Sequence, residues 1–470
     1  MTARGLTMTA VTPVSPLLAI VLGAGKGTRM KSAVPKVLHP VAGRSMLGHV
    51  LALVECVGAS RVAVVVGPGM DNVKTEAVTQ SPAAEVFVQE HQLGTADAVL
   101  AARSIIARHT AEVHSDRDGR PAQCIVLYAD TPLIQADTIA RLQQALNDGA
   151  GVAVLGFHAR DPSGYGRLLT AADGSLTAIR EDKDATLEER QVTLCNSGVM
   201  AFALPDLLGV LDRIGNTNAK GEYYLTDAVE IARAQGVRAT VVVCAEDEVL
   251  GVNARDQLAV AERLWQQRAR ARAMAGGVTM IAPETVFLSF DTVFGRDVTI
   301  EPNVFFGPGV TVGNSVLIRA NCHFEGAKIG DGVKIGPFAR LRPGAQLGPD
   351  VHVGNFVEVK AVTMGPRSKA NHLAYLGDGS VGADANIGAG TIFCNYDGFR
   401  KHKTVIGDGA FVGSNSSLVA PVEIGAGAYI GSGSVITKSV AADSLALERS
   451  TQDERPGWAA KFRAMMGRRS

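Results

Sequence analysis

One segment near the start of the chain combines residues suited to binding a phosphate. Three glycines alternate in it, at Gly23, Gly25 and Gly27, and the cations Arg29 and Lys36 follow. Glycine lets the backbone approach a ligand and turn N–H groups towards anionic oxygens, and the two cations add positive charge. The segment is not a Walker loop, because Gly27 stands where Ser or Thr would follow Gly-Lys, and the GxGxxG spacing is absent as well. These residues favour a phosphate-binding loop, and a plain tight turn is the alternative.

Four further polar residues have a functional and an ordinary interpretation. Asp130 follows an apolar run and by itself also fits a turn or helix cap. Glu181 lies in the charged run 180–184, which also fits a solvated surface, and Asn196 beside Gly198 also fits a turn. His372 is suited to proton transfer, because histidine titrates near neutral pH, but a single histidine on a loop is more often a surface residue.

The first half of the chain alternates short apolar runs with helical patterns. The predicted strands are residues 17–22, 61–66, 86–88, 124–128, 152–157 and 240–243, and the predicted helices are residues 47–57, 96–107, 138–147 and 225–234. This alternation is typical of a mostly parallel sheet covered on both sides. Ligands in such sheets bind beyond the carboxyl ends of the strands, so we expect the binding residues on the loops that follow the strands, the first of which is the glycine-rich segment.

The second half has an apolar residue at every sixth position. The runs are Phe294, Ile300, Phe306, Val312, Ile318 and Phe324, then Ile329, Ile335, Leu341, Leu347, Val353 and Val359, then Val381 and Ile387, and finally Ile406, Val412, Leu418, Ile424, Ile430 and Ile436. A period of six predicts a parallel β-helix of hexapeptide repeats, in which the apolar residue points inwards and Gly, Asn or Asp occupies the corners. An antiparallel sandwich is the alternative, but sandwiches alternate with a period of two.

The period of six fails twice, over residues 360–377 and 395–403. Insertions in a solenoid lie on its surface and often form the binding face. We therefore expect both segments to be insertions that carry the chemistry of this half, around His372 in the first and Asn395 and Tyr396 in the second.

Composition excludes several classes of protein. The 46 basic and 46 acidic residues balance, so nothing indicates a nucleic-acid groove or a membrane-seeking surface. Six scattered cysteines suggest neither a disulfide framework nor a zinc site and fit a reducing cytosol. The apolar run 16–22 is too short for a signal peptide core, and no segment has the 18 apolar residues that span a bilayer.

The motifs of the first half resemble those of the sugar-1-phosphate nucleotidylyltransferases. Residues 23–36 read Gly-x-Gly-x-Gly-Thr-Arg-Met-x-x-x-x-Pro-Lys, and the similarity continues at residues 89–95, 128–130, 164–167, 181–185, 196–198, 222–227 and 251–253. In the second half, residues 340–344, 353–358, 368–372, 386–391 and 394–398 are similar to hexapeptide acetyltransferases. The combination resembles the bifunctional members of the family, over about residues 17–450. It implies acetylation of glucosamine-1-phosphate by acetyl-CoA, then uridylyl transfer from UTP to N-acetylglucosamine-1-phosphate, for bacterial cell-envelope polymers.

The resemblance implies a set of residues for the uridylyltransferase site. Arg29 and Lys36 would hold the triphosphate, and Asp130 and Asn253 would bind Mg²⁺. Asn253 would also contact the sugar phosphate. The remaining nucleotide-binding residues would be Leu22, Gly23, Ala24, Gly25, Gln89, Gly94, Thr95, Tyr128 and Ala129, and the remaining sugar-binding residues would be Gly166, Glu181 and Asn196.

The resemblance also implies the acetyltransferase site. His372 would be the general base. Arg342, Lys360, Tyr375 and Asn386 would hold the sugar phosphate, and Ala389, Asn395, Tyr396, Ser414, Ser432 and Arg449 would bind acetyl-CoA. The sequence departs from the family at Ala129, which replaces Gly, at Ala96 and Asp97, which replace Gly-His, at Ser197, which replaces Thr, and at Ser432, which replaces Ala. The presence of Asp97 is not explained by the sequence, because this residue adds a negative charge near the anionic phosphates of a nucleotide.

The sequence thus predicts two domains and a connecting helix. We expect a flexible extension over residues 1–13, with Met8 as a possible start, a Rossmann-like nucleotidyltransferase domain with a mostly parallel mixed sheet over 14–255, a linker helix over 256–277, a left-handed parallel β-helix over 278–448 and a tail over 449–470 that wraps a neighbouring subunit or is disordered. A cytoplasmic homotrimer that packs through the β-helix is expected, without nucleic-acid or membrane partners. Two rival functions are a nucleotidylyltransferase for another sugar, with a regulatory hexapeptide domain, and a non-enzymatic scaffold.

Overall fold

In a computed structural model, the protein is described over residues 16–25, 27–115, 122–203 and 205–467. The expected extension over residues 1–13, with Met8, lies outside these ranges. The chain divides into two compact units, one up to Trp265 and the other from Gln266. The division falls within the helix that the sequence predicted as a connection.

The first unit is built on a nine-stranded mixed sheet. Its strands are β1 Leu17–Leu22, β2 Arg61–Val66, β3 Glu85–Val88, β4 Gln123–Tyr128, β5 Val152–His158, β6 Arg167–Thr170, β7 Leu176–Arg180, β8 Leu194–Phe202 and β9 Ala239–Cys244. The order across the sheet is β9-β5-β8-β4-β1-β2-β3, and β6 joins β8 and β7 at the side. Strand β8 runs antiparallel to β4, β5 and β6, and β6 and β7 are antiparallel to each other. The remaining pairs are parallel.

Helices cover both faces of this sheet. The helices of this unit are α1 Met46–Cys56, α2 Asp71–Gln80, α3 Thr95–Ala101, α4 Arg103–Ser115, α5 Ala136–Asn147, α6 Leu207–Leu211, α7 Ala228–Ala234 and the start of α8 Arg255–Ala275, which packs in a separate apolar cluster. The six residues of β1 are all buried, and alternate ones belong to two different hydrophobic clusters. An uninterrupted apolar strand is expected where both faces of a sheet are covered, so the composition of β1 follows from its central position.

The sequence predicted most of these elements but not all of them. The helix expected over residues 96–107 is two helices, α3 and α4, separated at Ala102. Strands β6, β7 and β8 and helices α2 and α6 were not predicted. Residues 196–198 were read as a turn, but they lie inside β8, where the pairing with β5 is irregular between Asn196 and Met200.

The strand order places two loops side by side. Leaving β1, the chain builds β2 and β3 on one side and then returns to β4 on the other. Such a reversal opens a crevice at the carboxyl ends of the two central strands. Leu22 pairs with Tyr128, so the loop after β1 and the turn after β4 start next to each other.

The second unit consists of short parallel strands. Their bounds are Val278–Met280, Val293–Phe294, Val298–Ile300, Phe305–Phe306, Thr311–Val312, Leu317–Ile318, His323–Phe324, Lys328–Ile329, Lys334–Ile335, Arg340–Leu341, Gln346–Leu347, His352–Asn355, Glu358–Met364, Lys369–His372, Tyr375–Val381, Asn386–Ile387, Ile392–Cys394, Thr404–Ile406, Phe411–Val412, Ser417–Val419, Val422–Ile424, Tyr429–Ile430, Val435–Ile436 and Leu445–Ala446. Regular partners lie 17 or 18 residues apart, as in Leu317 with Lys334 and Lys334 with His352. Three hexapeptides therefore close one coil, which confirms the left-handed parallel β-helix.

The prediction of an insertion over residues 360–377 is wrong. Val359 pairs with Leu376 and Met364 pairs with Val381, both at a separation of 17, so residues 360–377 form a normal coil. Its inward positions are Met364, Ala370 and Leu376, all fully buried. Two five-residue steps shifted the phase, and a small alanine hid the pattern.

The second interruption is a true insertion. Gly379 pairs with Thr404, a separation of 25, and the additional residues form a loop between Cys394 and Thr404. This loop carries Asn395 and Tyr396.

Several corners of the β-helix depart from the expected Gly, Asn or Asp, and three of them carry large apolar residues. Phe338, Phe356 and Leu373 have φ of 58°, 56° and 50° on successive coils, and all three side chains are exposed. Bulky residues rarely adopt positive φ, and strained conformations of this kind concentrate at functional sites. Leu373 directly follows His372.

The end of the chain contains a helix that the sequence did not predict. Residues Trp458–Met466 form α9, and all nine are exposed. Across the described ranges, no helix combines the length and the apolar character needed to cross a membrane.

Candidate functional sites

Lys36 is held in place by the glycine-rich loop. Gly27 has φ of 61°, and a Cβ there would lie 2.5 Å from the Cβ of Lys36. A larger residue would be strained in that conformation and would collide with the lysine, so glycine is required. Arg29 is exposed in the short helix Thr28–Met30, and Lys36 is buried.

The ammonium group of Lys36 joins two loops that are distant in sequence. Its Nζ lies 2.5 Å from Oδ2 of Asp130 and donates a hydrogen bond of 2.9 Å to Oδ1 of Asn253. Two oxygens of residues predicted to bind Mg²⁺ therefore converge on one cation. A carboxylate and an amide oxygen are ligands that suit Mg²⁺, which keeps several waters and needs few protein groups.

The other predicted residues of the glycine-rich loop surround this cluster. Leu22 and Gly23 are buried beside the turn after β4, and the backbone N–H of Gly23 donates to Val65. A Cβ at Gly23 would lie 3.5 Å from that of Ala129, an ordinary contact. Alanine in place of the family's glycine at 129 therefore fits. Ala24 is buried, whereas Gly25 faces open space.

The loop after β3 is fixed by contacts to its own residues and to Tyr223. Gln89 is 5% exposed, and its Nε2 donates to the carbonyl of Gly94 at 2.9 Å and to Oδ2 of Asp97 at 2.8 Å. Gly94 has φ of 130°, and a Cβ there would lie 2.5 Å from the carbonyl oxygen of Tyr223. Thr95 accepts a hydrogen bond from the backbone N–H of Leu225. The structure thus brings Gln89, Gly94 and Thr95 together.

The three predicted sugar-binding residues also converge. The backbone N–H of Asn196 donates to the carbonyl of Gly166 at 2.8 Å, and a Cβ at Gly166 would lie 3.4 Å from Oε1 of Glu181. Burial raises the pKa of Glu181, and Thr226 donates to its Oε1 at 3.4 Å. Glu181 is therefore a partly buried acid and not a solvated surface charge.

Arg167 and Tyr128 interact with residues around the cluster of Gly166, Glu181 and Asn196. Arg167, 2% exposed, donates to Asp182 at 3.1 Å and to the carbonyl of Tyr165. Burial raises the pKa of the Tyr128 hydroxyl, and the charges of Asp130 and Glu181 raise it further. Tyr128 therefore stays protonated and lies within the field of both carboxylates.

In the second unit, His372 has a specific partner on the preceding coil. Asn355 pairs with His372 in adjacent strands, and its Oδ1 lies 2.6 Å from Nδ1 of the imidazole. An amide oxygen only accepts hydrogen bonds, so Nδ1 carries the hydrogen. The other nitrogen, Nε2, is then the basic one.

The predicted cations of this site are paired with acids. Arg342 donates to Glu358 at 2.8 Å, which raises the pKa of the guanidinium. Lys360 lies 3.3 Å from Asp378, which also accepts a hydrogen bond from the Asn395 amide.

A second lysine stands beside Lys360. Contact with Lys360, and its charge, lower the pKa of Lys401. The contact with Lys401 raises the pKa of Lys360, and burial opposes this effect. The nearby Asp378 also raises the pKa of Lys360. The region therefore carries concentrated positive charge, which suits a phosphate.

The other two predicted sugar-phosphate residues lie on different faces of the coil. Tyr375 pairs with Glu358, and a Cβ at Gly377 would lie 2.5 Å from the Tyr375 hydroxyl oxygen. Asn386 pairs with Lys369 on the face that carries His372. The structure therefore places Tyr375 with Glu358 and Asn386 on the His372 face.

Most of the residues predicted to bind acetyl-CoA form one column. The backbone N–H after Ser414 donates to Ala389, and the one after Ser432 donates to Ser414. Arg449 donates to the carbonyl of Ser432 at 3.0 Å. These residues occupy equivalent corners of successive coils, and the contact at Ser432 is through its backbone, so serine in place of alanine leaves it intact. Tyr396 lies on the inserted loop and is exposed.

Sequence reasoning did not single out Asn355, Glu358 and Asp378 as site residues. The coil length could have found them, because Asn355 precedes His372 by 17 residues and Asp378 follows Lys360 by 18. A separation of one coil places side chains next to each other. In the first unit, no spacing rule connects Asp97 to Gln89 or Arg167 to Asp182.

Comparison with known proteins covers both units. Residues 19–192 match the MobA-like NTP transferase domain, and residues 326–361 and 403–438 match the bacterial transferase hexapeptide repeat. The chain is 59% identical over 452 residues to the bifunctional protein GlmU of Azorhizobium caulinodans, covering 96% of this chain and 98% of that protein. The chain belongs to the GlmU family. The GlmU proteins of a Bradyrhizobium species and of Xanthobacter autotrophicus are 58% and 57% identical, each over 95% of this chain and 97% of the relative.

The two hexapeptide matches are separated by a gap within the β-helix. Residues 362–402 fall between them and contain His372 and the inserted loop. The sequence match to the repeat is therefore interrupted where the candidate acetyltransferase residues lie. The backbone of residues 362–394 nevertheless continues the coil.

Proposed function

We propose that this member of the GlmU family makes UDP-N-acetylglucosamine in two steps. The second unit transfers the acetyl group of acetyl-CoA to glucosamine-1-phosphate. The first unit then transfers a uridylyl group from UTP to the resulting N-acetylglucosamine-1-phosphate, with release of pyrophosphate. The observation that carries the proposal is that each compact unit holds its own cluster of the residues the family motifs name, Lys36 with Asp130 and Asn253 in one and His372 with Asn355 in the other.

Uridylyl transfer requires two anions to meet. An oxygen of the sugar phosphate attacks the α-phosphorus of UTP, and the bond from that phosphorus to the pyrophosphate oxygen breaks. Catalysis is mainly positioning and neutralisation of charge. Lys36 and Arg29 hold the triphosphate, Gln89 and the backbone near Gly94 hold uracil, and the cluster of Gly166, Glu181 and Asn196 holds the sugar.

Magnesium suits the two oxygens that converge on Lys36. Asp130 and Asn253 would hold it, and when bound it would neutralise charge on the phosphates. The proposal is supported by the two oxygens lying within reach of one cation.

Acetyl transfer requires an uncharged amine. The amine of glucosamine-1-phosphate attacks the thioester carbonyl, the carbon–sulfur bond breaks, and coenzyme A leaves as a thiolate that takes up the proton released by the amine. Nε2 of His372 accepts the proton that the amine loses, because Asn355 keeps the hydrogen on Nδ1. Arg342 and Lys360 hold the sugar phosphate, with Tyr375 and Asn386 beside it.

We propose further that the second unit associates with other copies of the chain. The hexapeptide domain is expected to form a homotrimer, because its outer faces are flat and carry exposed apolar side chains such as Phe287, Phe305 and Leu373. We place the enzyme in the cytoplasm, in agreement with six free thiols. Sedimentation equilibrium would test the trimer, and a monomer would contradict it.

One experiment tests the two activities separately. The purified enzyme receives glucosamine-1-phosphate, acetyl-CoA, UTP and Mg²⁺, and free thiol, pyrophosphate and UDP-N-acetylglucosamine are each measured. All three products are expected. Absence of UDP-N-acetylglucosamine would refute the proposal, and thiol release without pyrophosphate would leave only the acetyltransferase.

A further inference from the structure

Asp97 is the residue whose presence near a nucleotide had no explanation in the sequence. It lies in the first turn of α3, directly after the loop that carries Gln89 and Gly94. Its Oδ2 accepts hydrogen bonds from Nε2 of Gln89 at 2.8 Å and from the backbone N–H of Leu93 at 3.2 Å. The carboxylate of Asp97 therefore faces the loop, where two N–H groups donate hydrogen bonds to it.

These contacts determine which way the Gln89 amide faces. Its two hydrogens go to the carbonyl of Gly94 and the carboxylate of Asp97. Both partners only accept, so the amide nitrogen must face them and the oxygen must point the other way. The backbone N–H of Gln89 is bonded to Val66, and the side chain is buried, so the residue is fixed at both ends. Some polar side-chain atoms of the described residues are buried and lack a hydrogen-bond partner, and Oε1 of Gln89 does not belong to them.

We propose that Asp97 is a specificity-determining residue that makes Gln89 an acceptor for the nucleotide base. The inference rests on the proposed function, in which Gln89 contacts uracil. Uracil has a hydrogen on N3, which an amide oxygen accepts. Cytosine has a lone pair on N3, so it would face the oxygen of a Gln89 that cannot turn. Asp97 acts through Gln89 and does not touch the substrate.

A glutamine without this second partner would discriminate less. Its amide could rotate and present either nitrogen or oxygen to the base. An aspartate at this position removes that freedom, because an ionised carboxylate cannot donate. The departure from the family at residue 97 therefore has a consequence for the choice of base.

Kinetics with pairs of nucleotides test the inference. We compare kcat/KM for UTP and CTP, with N-acetylglucosamine-1-phosphate, in the wild type, Asp97→Ala and Asp97→Asn. Asp97→Ala is expected to lower kcat/KM for UTP about tenfold through KM, and to narrow the preference for UTP over CTP at least tenfold. Asp97→Asn should retain most of the preference, because its amide oxygen can accept the same two hydrogen bonds.

The matched control is Asp137→Asn. Asp137 also lies in the first turn of a helix, α5, and its side chain is 86% exposed. It should behave as the wild type for both nucleotides. An effect equal to that of Asp97→Ala would show that loss of negative charge in the first turn of a helix is enough, and would overturn the inference.

Two other results would overturn it. One is an unchanged ratio of kcat/KM for UTP to kcat/KM for CTP in Asp97→Ala, including an equal loss for both nucleotides through kcat. The second concerns the wild type alone and does not depend on a variant that folds: N3-methyl-UTP should be used at least a hundredfold less well than UTP, and equal use contradicts an acceptor at Gln89. If the wild type makes no UDP-sugar from UTP, the proposed function fails as well, so the two failures can be told apart.

Discussion

Replacing Asn355 by alanine would test how His372 becomes a base. The hydrogen bond between Asn355 and Nδ1 of His372 is 2.6 Å long and is made by an exposed pair. Loss of one such bond costs about 1 kcal/mol, which corresponds to about a fivefold to tenfold lower rate. Removal of the base itself costs about 10²- to 10⁴-fold. We therefore expect His372→Ala to be far slower than Asn355→Ala, and Asn355→Ala to be slower than the wild type.

Release of free coenzyme A from acetyl-CoA and glucosamine-1-phosphate measures this order. Pyrophosphate release from UTP and N-acetylglucosamine-1-phosphate, measured on the same preparations, should not change, because Lys36 and its partners lie in the other unit. His323→Ala is the matched control, since His323 is a partly exposed histidine on an earlier coil. It should leave both rates unchanged.

The reasoning would be refuted by specific results. Acetyl transfer in His372→Ala within a factor of ten of the wild type would exclude it as the general base. An unchanged rate in Asn355→Ala would show that the amide does not set the tautomer. Loss of both activities in either variant, with a lowered melting temperature, would indicate a damaged fold.

Two further perturbations follow from the charges of the first unit. Burial raises the pKa of Asp227 to about 6, and the charges of Glu230 and Glu181 contribute to this shift. The carboxyl group therefore ionises more readily in the unfolded chain, and the free energy of unfolding falls as pH rises from about 4 to about 6. Asp227→Asn should therefore add about 1 to 2 kcal/mol above pH 6 and nothing below pH 4, as thermal melts of the two proteins would show, whereas a gain independent of pH would contradict this. Lys36→Met should abolish uridylyl transfer yet bind Mn²⁺ at least threefold more tightly without nucleotide, because the lysine contacts both oxygens that we propose as metal ligands. An electron paramagnetic resonance titration would check this, and unchanged or weaker binding would argue against competition between the lysine and the metal.

The fold was largely predictable because its signals are local. A side chain at every sixth position turns inwards on a hexapeptide coil whatever the rest of the chain does, and Phe306, Phe324 and Leu341 are fully buried as that rule requires. The alternation of apolar runs and helices in the first half is equally local. Strand β8 was missed because Asn196 and Gly198 resemble a turn, and only its neighbours β4 and β5 make it a strand.

The error over residues 360–377 has a physical cause. A coil closes when its inward side chains fill the interior, and Ala370 fills it beside larger residues on adjacent coils, although alanine is a weak signal in a sequence. Steps of five residues also shift the phase without lengthening the coil beyond 17. Pairing between strands shows the register directly, whereas a periodicity count reads a phase shift as an insertion.

The candidate site residues follow a similar division. Family motifs named Lys36, Asp130 and Asn253, and the structure shows that they touch across 94 and 217 residues of sequence. The roles of these residues remain predictions. The motifs did not explain Asp97, whose partner became visible only with the loop folded.

By itself, the sequence determined the period of the β-helix, the buried strands of the first unit and the motifs that assign the chain to its family, because each depends on residues close together in the chain. The tertiary structure decided which of these residues meet. Strand order brings the loops after β1 and β4 together, and the closure of each coil after 17 or 18 residues sets Asn355 against His372. The meeting of the two loops depends on how distant segments pack, and no local pattern of side chains specifies it. The contact between Asn355 and His372 follows only once the length of the coil at that point is known.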